Sequence, residues 1–404
     1  MSTIRGHHPP ATANATPPVM PTFFAGPARW FRCAYAVPIL TGGLLLAPAA
    51  SRAETLMDPY LQAAAPDGIS VLVECDSAGP VTVDYGPTEA LGATAATAGI
   101  EPTTAGTQMH RVRLAGLSPN TRYYYRARHG TSLSPIRTFR TLVETGRGFR
   151  FAVMGDCRSG PAVHDAIALR IKDTGPLFSL YGGDLCNDPA YATWKKEFFR
   201  PNELALAAEV PFFNVPGNHE KWEVNTRAFM VAPASLSGTP AYASFDCGDA
   251  HFLLLNNELP LGADSPQYAF AREDLARTTQ PWKIVVAHRP AFSSGKHGND
   301  PAMQALTREV FEPAGVALVL AGHDHNYQHN LVRGLHHFVL GGGGAYLTPP
   351  AVKDFTVKAE AVHHFAVVDV TGTTLRLAAY REDGSELETL DLRKDAPPSP
   401  PPPP

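Results

Sequence analysis

Five short apolar runs in this 404-residue chain each end in a Gly- or Pro-flanked turn carrying a side chain able to bind a metal ion. Arg150 to Met154 runs into Gly155-Asp156, Leu177 to Tyr181 into Gly183-Asp184, and Pro211 to Val215 into Gly217-Asn218-His219-Glu220. Ile284 to Ala287 ends in His288, and Val316 to Leu320 in Gly322-His323-Asp324-His325. Two Asp, one Asn and three His supply mixed oxygen and nitrogen donors suited to borderline transition metals. A single Gly-Asp turn after a strand is common. Five in order bring the donors to the carboxyl ends of strands, which in α/β folds converge on one crevice.

The elements around these turns alternate strand and helix. Residues 164–173 fit a helix and a longer helical stretch is expected over 192–209. Tyr242 to Phe245 and His251 to Leu255 read as a hairpin turning at Gly248-Asp249. Further strands are expected at His336 to Leu340, His364 to Val370, Leu375 to Tyr380 and near 386–392. This grammar predicts an α/β layered domain with helix-covered sheets. Upstream, residues 57–143 differ. Ile69 to Glu74, Val81 to Tyr85, His110 to Leu114, Tyr123 to Arg128 and Arg137 to Thr141 are short alternating or β-branched runs, separated by turn pairs such as Asp67-Gly68 and Gly86-Pro87. They predict a β-sandwich without a cluster of catalytic groups.

Composition narrows the function classes. The formal charge of −4 gives no basic surface for nucleic acid, and no apolar run is long enough for a membrane helix. The first 53 residues hold four Arg and no Asp or Glu, with a basic cluster at Arg29 to Arg32 and an apolar stretch from Ala34 to Ala50. Small residues flank Arg52 before Glu54, the layout of an export signal cleaved near Ala53. Its removal would deepen the charge to −8 and leave Cys75, Cys157, Cys186 and Cys247, whose pairing the spacing leaves open. Residues 395–404 are proline-rich and read as an extended, disordered tail.

Gly155-Asp156, Gly183-Asp184, Gly217-Asn218-His219-Glu220, His288 and Gly322-His323-Asp324-His325-Asn326-Tyr327 resemble, in order, the calcineurin-like metallophosphoesterases, and within them the purple acid phosphatase branch. That branch has an N-terminal fibronectin type III-like domain. Here Asp58-Pro59-Tyr60-Leu61-Gln62, Val83-Asp84-Tyr85-Gly86 and the run from Leu114 to Arg126 are similar to it. The resemblance spans about residues 57–393. It implies a fibronectin-like sandwich over 54–145 and a four-layer α/β/β/α phosphoesterase domain over 146–394. The site would hold two divalent or trivalent ions (Fe, Zn or Mn), with Asp184 bridging. Asn218, His288 and His323 would complete one ion, and Asp156 and His325 would serve the other. A metal-bound hydroxide would attack the phosphorus of a small phosphate monoester, with His219 facing the leaving group. The expected setting is secreted or periplasmic, with no transmembrane segment in the mature chain.

The chain departs from the branch at two places. A tyrosine normally stands three residues after the bridging Asp, and here that residue is Asn187. Other members carry Asp-x-His at the first motif, where this chain has Arg158. Asn187 is therefore a candidate ligand for the Asp156 ion, and Arg158 a planar fork for a phosphate oxygen. His297 is a candidate contact with metal or substrate. Two rivals stay open: a phosphodiesterase acting on cyclic nucleotides or phospholipid head groups, which pocket shape would separate from a monoesterase, and a catalytically weak metal-binding or adhesion protein, which the thinned ligand set suggests.

Overall fold

Apolar alternation in the first half of the described chain builds a two-layered β unit. The computed structural model describes residues 54–395, so the expected export signal and proline tail lie outside the described residues. Eight strands come first: β1 Tyr60–Ala65, β2 Gly68–Cys75, β3 Val81–Gly86, β4 Ala93–Pro102, β5 Gln108–Ala115, β6 Arg122–His129, β7 Ser132–Leu133 and β8 Arg137–Arg140. One layer runs β1-β2-β5-β4; β4 also pairs with β3, which continues through β6 to β7 and β8. Inward residues such as Ile69, Val71, Val83, Val112, Leu114 and Tyr125 are fully buried between the layers. This is the sandwich that the sequence predicts.

The second half stacks two sheets face to face. The first takes β9 Phe149–Met154, β10 Phe178–Tyr181 and β11 Phe212–Asn214 in parallel, extended by antiparallel β19 His364–Thr371, β20 Thr374–Arg381 and β21 Glu386–Arg393. The second runs in the order β12 Ala243–Cys247, β13 Ala250–Leu254, β14 Trp282–Val286, β15 Leu318–Ala321, β17 Leu335–Leu340, β16 Tyr327–Val332 and β18 Thr356–Glu360. Four helices, α1 Pro161–Asp173, α2 Tyr191–Glu197, α3 Pro201–Ala207 and α4 Val224–Phe229, carry the apolar cluster on the outer side of the first sheet. Helices α5 Pro266–Arg277 and α6 Pro301–Leu306 carry the cluster on the outer side of the second. The layer order is thus α/β/β/α.

Between the sheets the contact is aromatic. Phe252 of β13 meets Phe149, Phe151 and Phe178 of the first sheet edge-on, at centroid distances of 6.2, 5.2 and 5.4 Å, and stacks on Phe245 at 4.8 Å. Edge-on contacts of this kind add to the area buried.

Several elements depart from the sequence expectation, β1 and helices α4 to α6 among them, which it did not name. The helix expected over 192–209 is two helices, because Pro201 cannot continue the turn before it and instead opens α3 at its first position. Strand β4 was not expected, since its Ala- and Thr-rich run offers no apolar face and is mostly exposed. Nor were β16 and β18, whose polar side chains pair within a sheet layer. The β-sandwich and the following α/β part also join edge to edge: β1 pairs in parallel with β11 at Gln62 and Phe212, so one sheet runs through both. Tyr125 Oη donates to the Ala208 carbonyl at 2.7 Å and Lys195 pairs with buried Glu74 at 2.7 Å across the same junction.

Two outcomes test this packing. Phe252→Ala should lower unfolding stability by about 3–5 kcal/mol, read by denaturant titration, because four rings lose their shared partner. His251 on β13 sits between Asp246 and Asp274, with N···O distances of 2.7 and 2.8 Å. Burial opposes its charged form, but the two carboxylates outweigh it and push its pKa up to about 9. Its contribution is therefore complete below about pH 6.5 and lost as pH rises through about 9. Asp246 is half exposed, which reduces the effect to ~2 kcal/mol. Thermal unfolding between pH 6.5 and 9.5 should show this decline, and His251→Gln should flatten it.

Candidate metal centre

All five chemistry-bearing turns follow parallel strands: β9, β10 and β11 in the first sheet, β14 and β15 in the second. Stacking the sheets brings the turns together. Asp184, His288 and His323 each offer a ligand atom within 4.8 Å of the others, and so do Asp156, Asp184 and His325. Asp184 belongs to both groups.

Hydrogen bonds behind His288 and His325 fix which of their nitrogens faces the centre. His288 Nδ1 donates to the Gly182 carbonyl at 2.8 Å, so Nε2 points its lone pair inward. That lone pair lies 3.3 Å from Asp184 Oδ1 and 3.1 Å from Asn218 Oδ1 and from His323 Nδ1. His325 Nδ1 donates to the Tyr346 carbonyl at 2.9 Å, which turns its Nε2 toward Asp156 Oδ1, 3.5 Å away. Such back-side partners are the usual way a ligating imidazole is held. Asp156 Oδ2 accepts the His323 backbone N–H at 2.7 Å, while Oδ1 is buried and has no hydrogen-bond partner.

The electrostatics favour cations. Burial and the neighbouring Asp184 carboxylate push the Asp156 carboxyl well above its usual range. Burial also opposes ionisation of Asp184, yet His288, His219 and Arg158 hold it below the ordinary value. Burial and the rings of His288 and His297 push His323 down to about 2, so its imidazole is neutral and able to ligate. Inward-facing lone pairs, an orphaned carboxylate oxygen and neutral imidazoles fit two cations sharing Asp184.

The remaining predicted residues stand at the rim. His219 is about one-third exposed, donates Nδ1–H to the Asn187 carbonyl at 2.7 Å, and holds Nε2 3.8 Å from Asp184 Oδ2. His297 is exposed but its ring lies 4.3 Å from that of His323, centroid to centroid. Asn187 does not turn its amide to the Asp156 group; its Oδ1 accepts from Arg158 Nη1 at 3.2 Å and Ser159 Oγ at 3.3 Å. Arg158 does reach that group. Its Nε donates to Asp184 Oδ2 at 3.2 Å and its Nη2 to His325 Nε2 at 3.1 Å.

Sequence reasoning missed the supporting carboxylates. Buried Glu220 accepts the Gly217 N–H at 2.9 Å and thereby shapes the Asn218 turn; burial and Asp184 push its pKa up to about 8. Asp324 accepts Ser293 Oγ at 2.5 Å and the His297 backbone N–H at 2.9 Å, tying the loop that carries His297 to the His323 turn. Both lie inside motifs that had been quoted for their neighbours, and spacing alone gives no sign of these contacts.

Backbone strain is concentrated here. Asp156, Asp184 and His323 adopt positive φ of 58°, 54° and 71°. For a non-glycine residue this costs of order 1–3 kcal/mol, a kind of strain that clusters at functional sites. Gly217 is required by close approach: a Cβ there would stand 2.2 Å from Asp184 Oδ1. Gly217→Ala should therefore displace the shared carboxylate. The expected result is a fold retained by circular dichroism and a metal content reduced by at least half on elemental analysis.

Comparison with known proteins agrees with this geometry. Residues 149–327 match the calcineurin-like phosphoesterase family, and residues 62–141 the purple acid phosphatase N-terminal domain. Purple acid phosphatase 21 of Arabidopsis thaliana is 30% identical over 239 residues, 55% of this chain and 53% of that protein. Purple acid phosphatase 15 of the same plant is 27% identical over 263 residues, 54% and 49% respectively. The chain thus spans about half the length of the curated relatives it matches. The solved purple acid phosphatase PPD1 from yellow lupin (Lupinus luteus) seeds has the same fold, with a TM-score of 0.73 over 83% of this chain and 74% of that one at 22% identity. The chain thus matches, in order, the purple acid phosphatase N-terminal domain and the calcineurin-like phosphoesterase family.

Proposed function

We propose that this protein is an exported, two-metal-dependent phosphoesterase that hydrolyses small phosphate monoesters. One observation carries the reading: two donor groups share the buried Asp184 carboxylate, and the imidazoles of His288 and His325 are locked with their lone pairs inward. Asn218, His288, His323 and Asp184 would hold one cation, and Asp156, His325 and Asp184 the other. When bound, such a pair supplies charge against phosphoryl oxygens and makes water acidic enough to act as a nucleophile.

The residues of the chain supply the rest. His219 keeps Nε2 free at the rim because Nδ1 is committed to the Asn187 carbonyl. In its protonated form it places a proton on the departing ester oxygen. Arg158 offers a fork to a phosphate oxygen, and His297 lies beside His323 on the solvent side, where a substrate oxygen enters. Domain limits of 54–145 and 146–394 go with this reading, as does cleavage of the first 53 residues on export.

Hydrolysis of p-nitrophenyl phosphate and of its bis-ester tests the proposal, with Mn, Zn or Fe added to the full chain. The expected outcome is metal-dependent turnover of the monoester, reduced at least about a thousandfold in Asp184→Asn. Preference for the bis-ester would move the assignment to phosphodiesterase. Inactivity toward both esters with every metal would favour the metal-binding, non-enzymatic reading.

A further inference from the structure

The second donor group contains a feature that the proposed two-cation site does not call for. Arg158 places a delocalised positive charge directly on it. Its Nε donates to Asp184 Oδ2 at 3.2 Å, and Nη2 donates to His325 Nε2 at 3.1 Å, while Nη1 is steadied by Asn187 Oδ1 and Ser159 Oγ at 3.2 Å each. The direction of the His325 contact is not ambiguous. Nδ1 carries the proton given to the Tyr346 carbonyl, and a guanidinium has no acceptor. His325 Nε2 therefore spends its single lone pair on Arg158, Asp184 Oδ2 gives one of its own to the same guanidinium, and Asp156 Oδ1 is left without a partner.

A lone pair in a hydrogen bond to Arg158 is not available to an ion bound at about 2.0–2.2 Å. Nor can a fixed monovalent cation and a divalent ion share so short a distance cheaply in a buried setting. The other donor group meets no such competitor among the described residues: His288, His323 and Asn218 turn their atoms toward one another. The arginine side chain is about one-seventh exposed at the rim, so it has solvent to swing into.

We propose that Arg158 is an internal cation that competes with the metal ion for the Asp156–Asp184–His325 position, making the two ion sites unequal. The inference rests on the two-cation reading above. The His288–His323 position loads first and tightly. The second ion binds only by displacing the guanidinium, which is then released toward the phosphate. Where related sites are expected to carry a tyrosine or histidine that coordinates the ion, Arg158 instead sets its affinity by competition.

Stepwise Mn2+ loading of the chelator-stripped full chain tests this, followed by calorimetry and by electron paramagnetic resonance. Wild type is expected to bind one equivalent tightly and a second at least about tenfold more weakly, the coupled two-ion spectrum appearing only with excess Mn2+. Arg158→Gln, which removes the charge, should bring the two affinities together and show the coupled spectrum near two equivalents. Arg158→Lys keeps the charge without the fork and should fall between them, and it decides the matter if the Gln variant unfolds in a thermal melt. Equal second-ion affinity in wild type and variants would overturn the inference while leaving the two-cation reading intact. Weaker second-ion binding in Arg158→Gln would also overturn it, by making Arg158 a support for the ligands. Failure of every protein to bind either ion would overturn the two-cation reading itself.

Discussion

Everything at the site depends on keeping one buried carboxylate ionised. Asp184 is 1% exposed, stands beside a second buried carboxylate, and is reached by His288, His219 and Arg158. Burial alone would neutralise it. The fold answers by surrounding it with Arg158, His219 and His288, drawn from the ends of β9, β11 and β14, so no single element suffices. The stacked sheets, the aromatic contact between them and the strained turns serve that convergence. A local turn could supply one or two donors; two sheets stacked face to face with their strand ends converging supply six.

The price is visible in the backbone. Asp156, Asp184 and His323 lie in left-handed conformations, and Gly217 and Gly322 sit so close that a Cβ would strike Asp184 Oδ1 at 2.2 Å and Asp156 Oδ2 at 2.4 Å. Strain of this kind persists only where surrounding structure over-determines it. Here the surrounding structure is rigid: β9 and β10 are buried on nearly every residue, and Phe151 and Phe178 stack at 5.3 Å with planes 2° apart. Packing energy in the core holds the turns in geometry they would not choose alone.

The site was largely legible in the sequence, because each donor follows an apolar run and sits in a turn flanked by glycine or, at His288, by proline, and such punctuation survives without knowledge of tertiary contacts. Although β1 Tyr60–Ala65, buried on nearly every residue, was not among those expected, most strands were legible where burial alternates or is continuous. They were not where a strand is stabilised only by its neighbours: β4 is Ala- and Thr-rich with no buried face, and β16 buries Gln328, His329 and Asn330 through side-chain hydrogen bonds to Ser294, Glu388 and Phe292. The same limit hid Glu220 and Asp324. Both carboxylates act on backbone N–H groups within or across motifs, and a sequence shows the residue but not the direction it turns. Asn187 illustrates the reverse case. Its place in the motif suggests a ligand, while its amide oxygen serves Arg158 and Ser159.

Burial divides the site into a floor and a rim with different degrees of constraint. Asp156, Asp184, His288, His323 and His325 are all buried, and every one is tied to backbone or to another floor residue. His219, His297, Asn187 and Tyr346 are exposed to solvent and come from loops after β11, β14, β10 and β17. Tyr346 belongs to both: its carbonyl orients His325 while its ring is 80% exposed. Changing that ring can alter what approaches the centre without disturbing the hydrogen bond that aims the imidazole. The floor fixes which bond chemistry is possible, and the loops fix which ester arrives. Arg158 also crosses the division, since its side chain is about one-seventh exposed while its guanidinium reaches Asp184 and His325 on the floor.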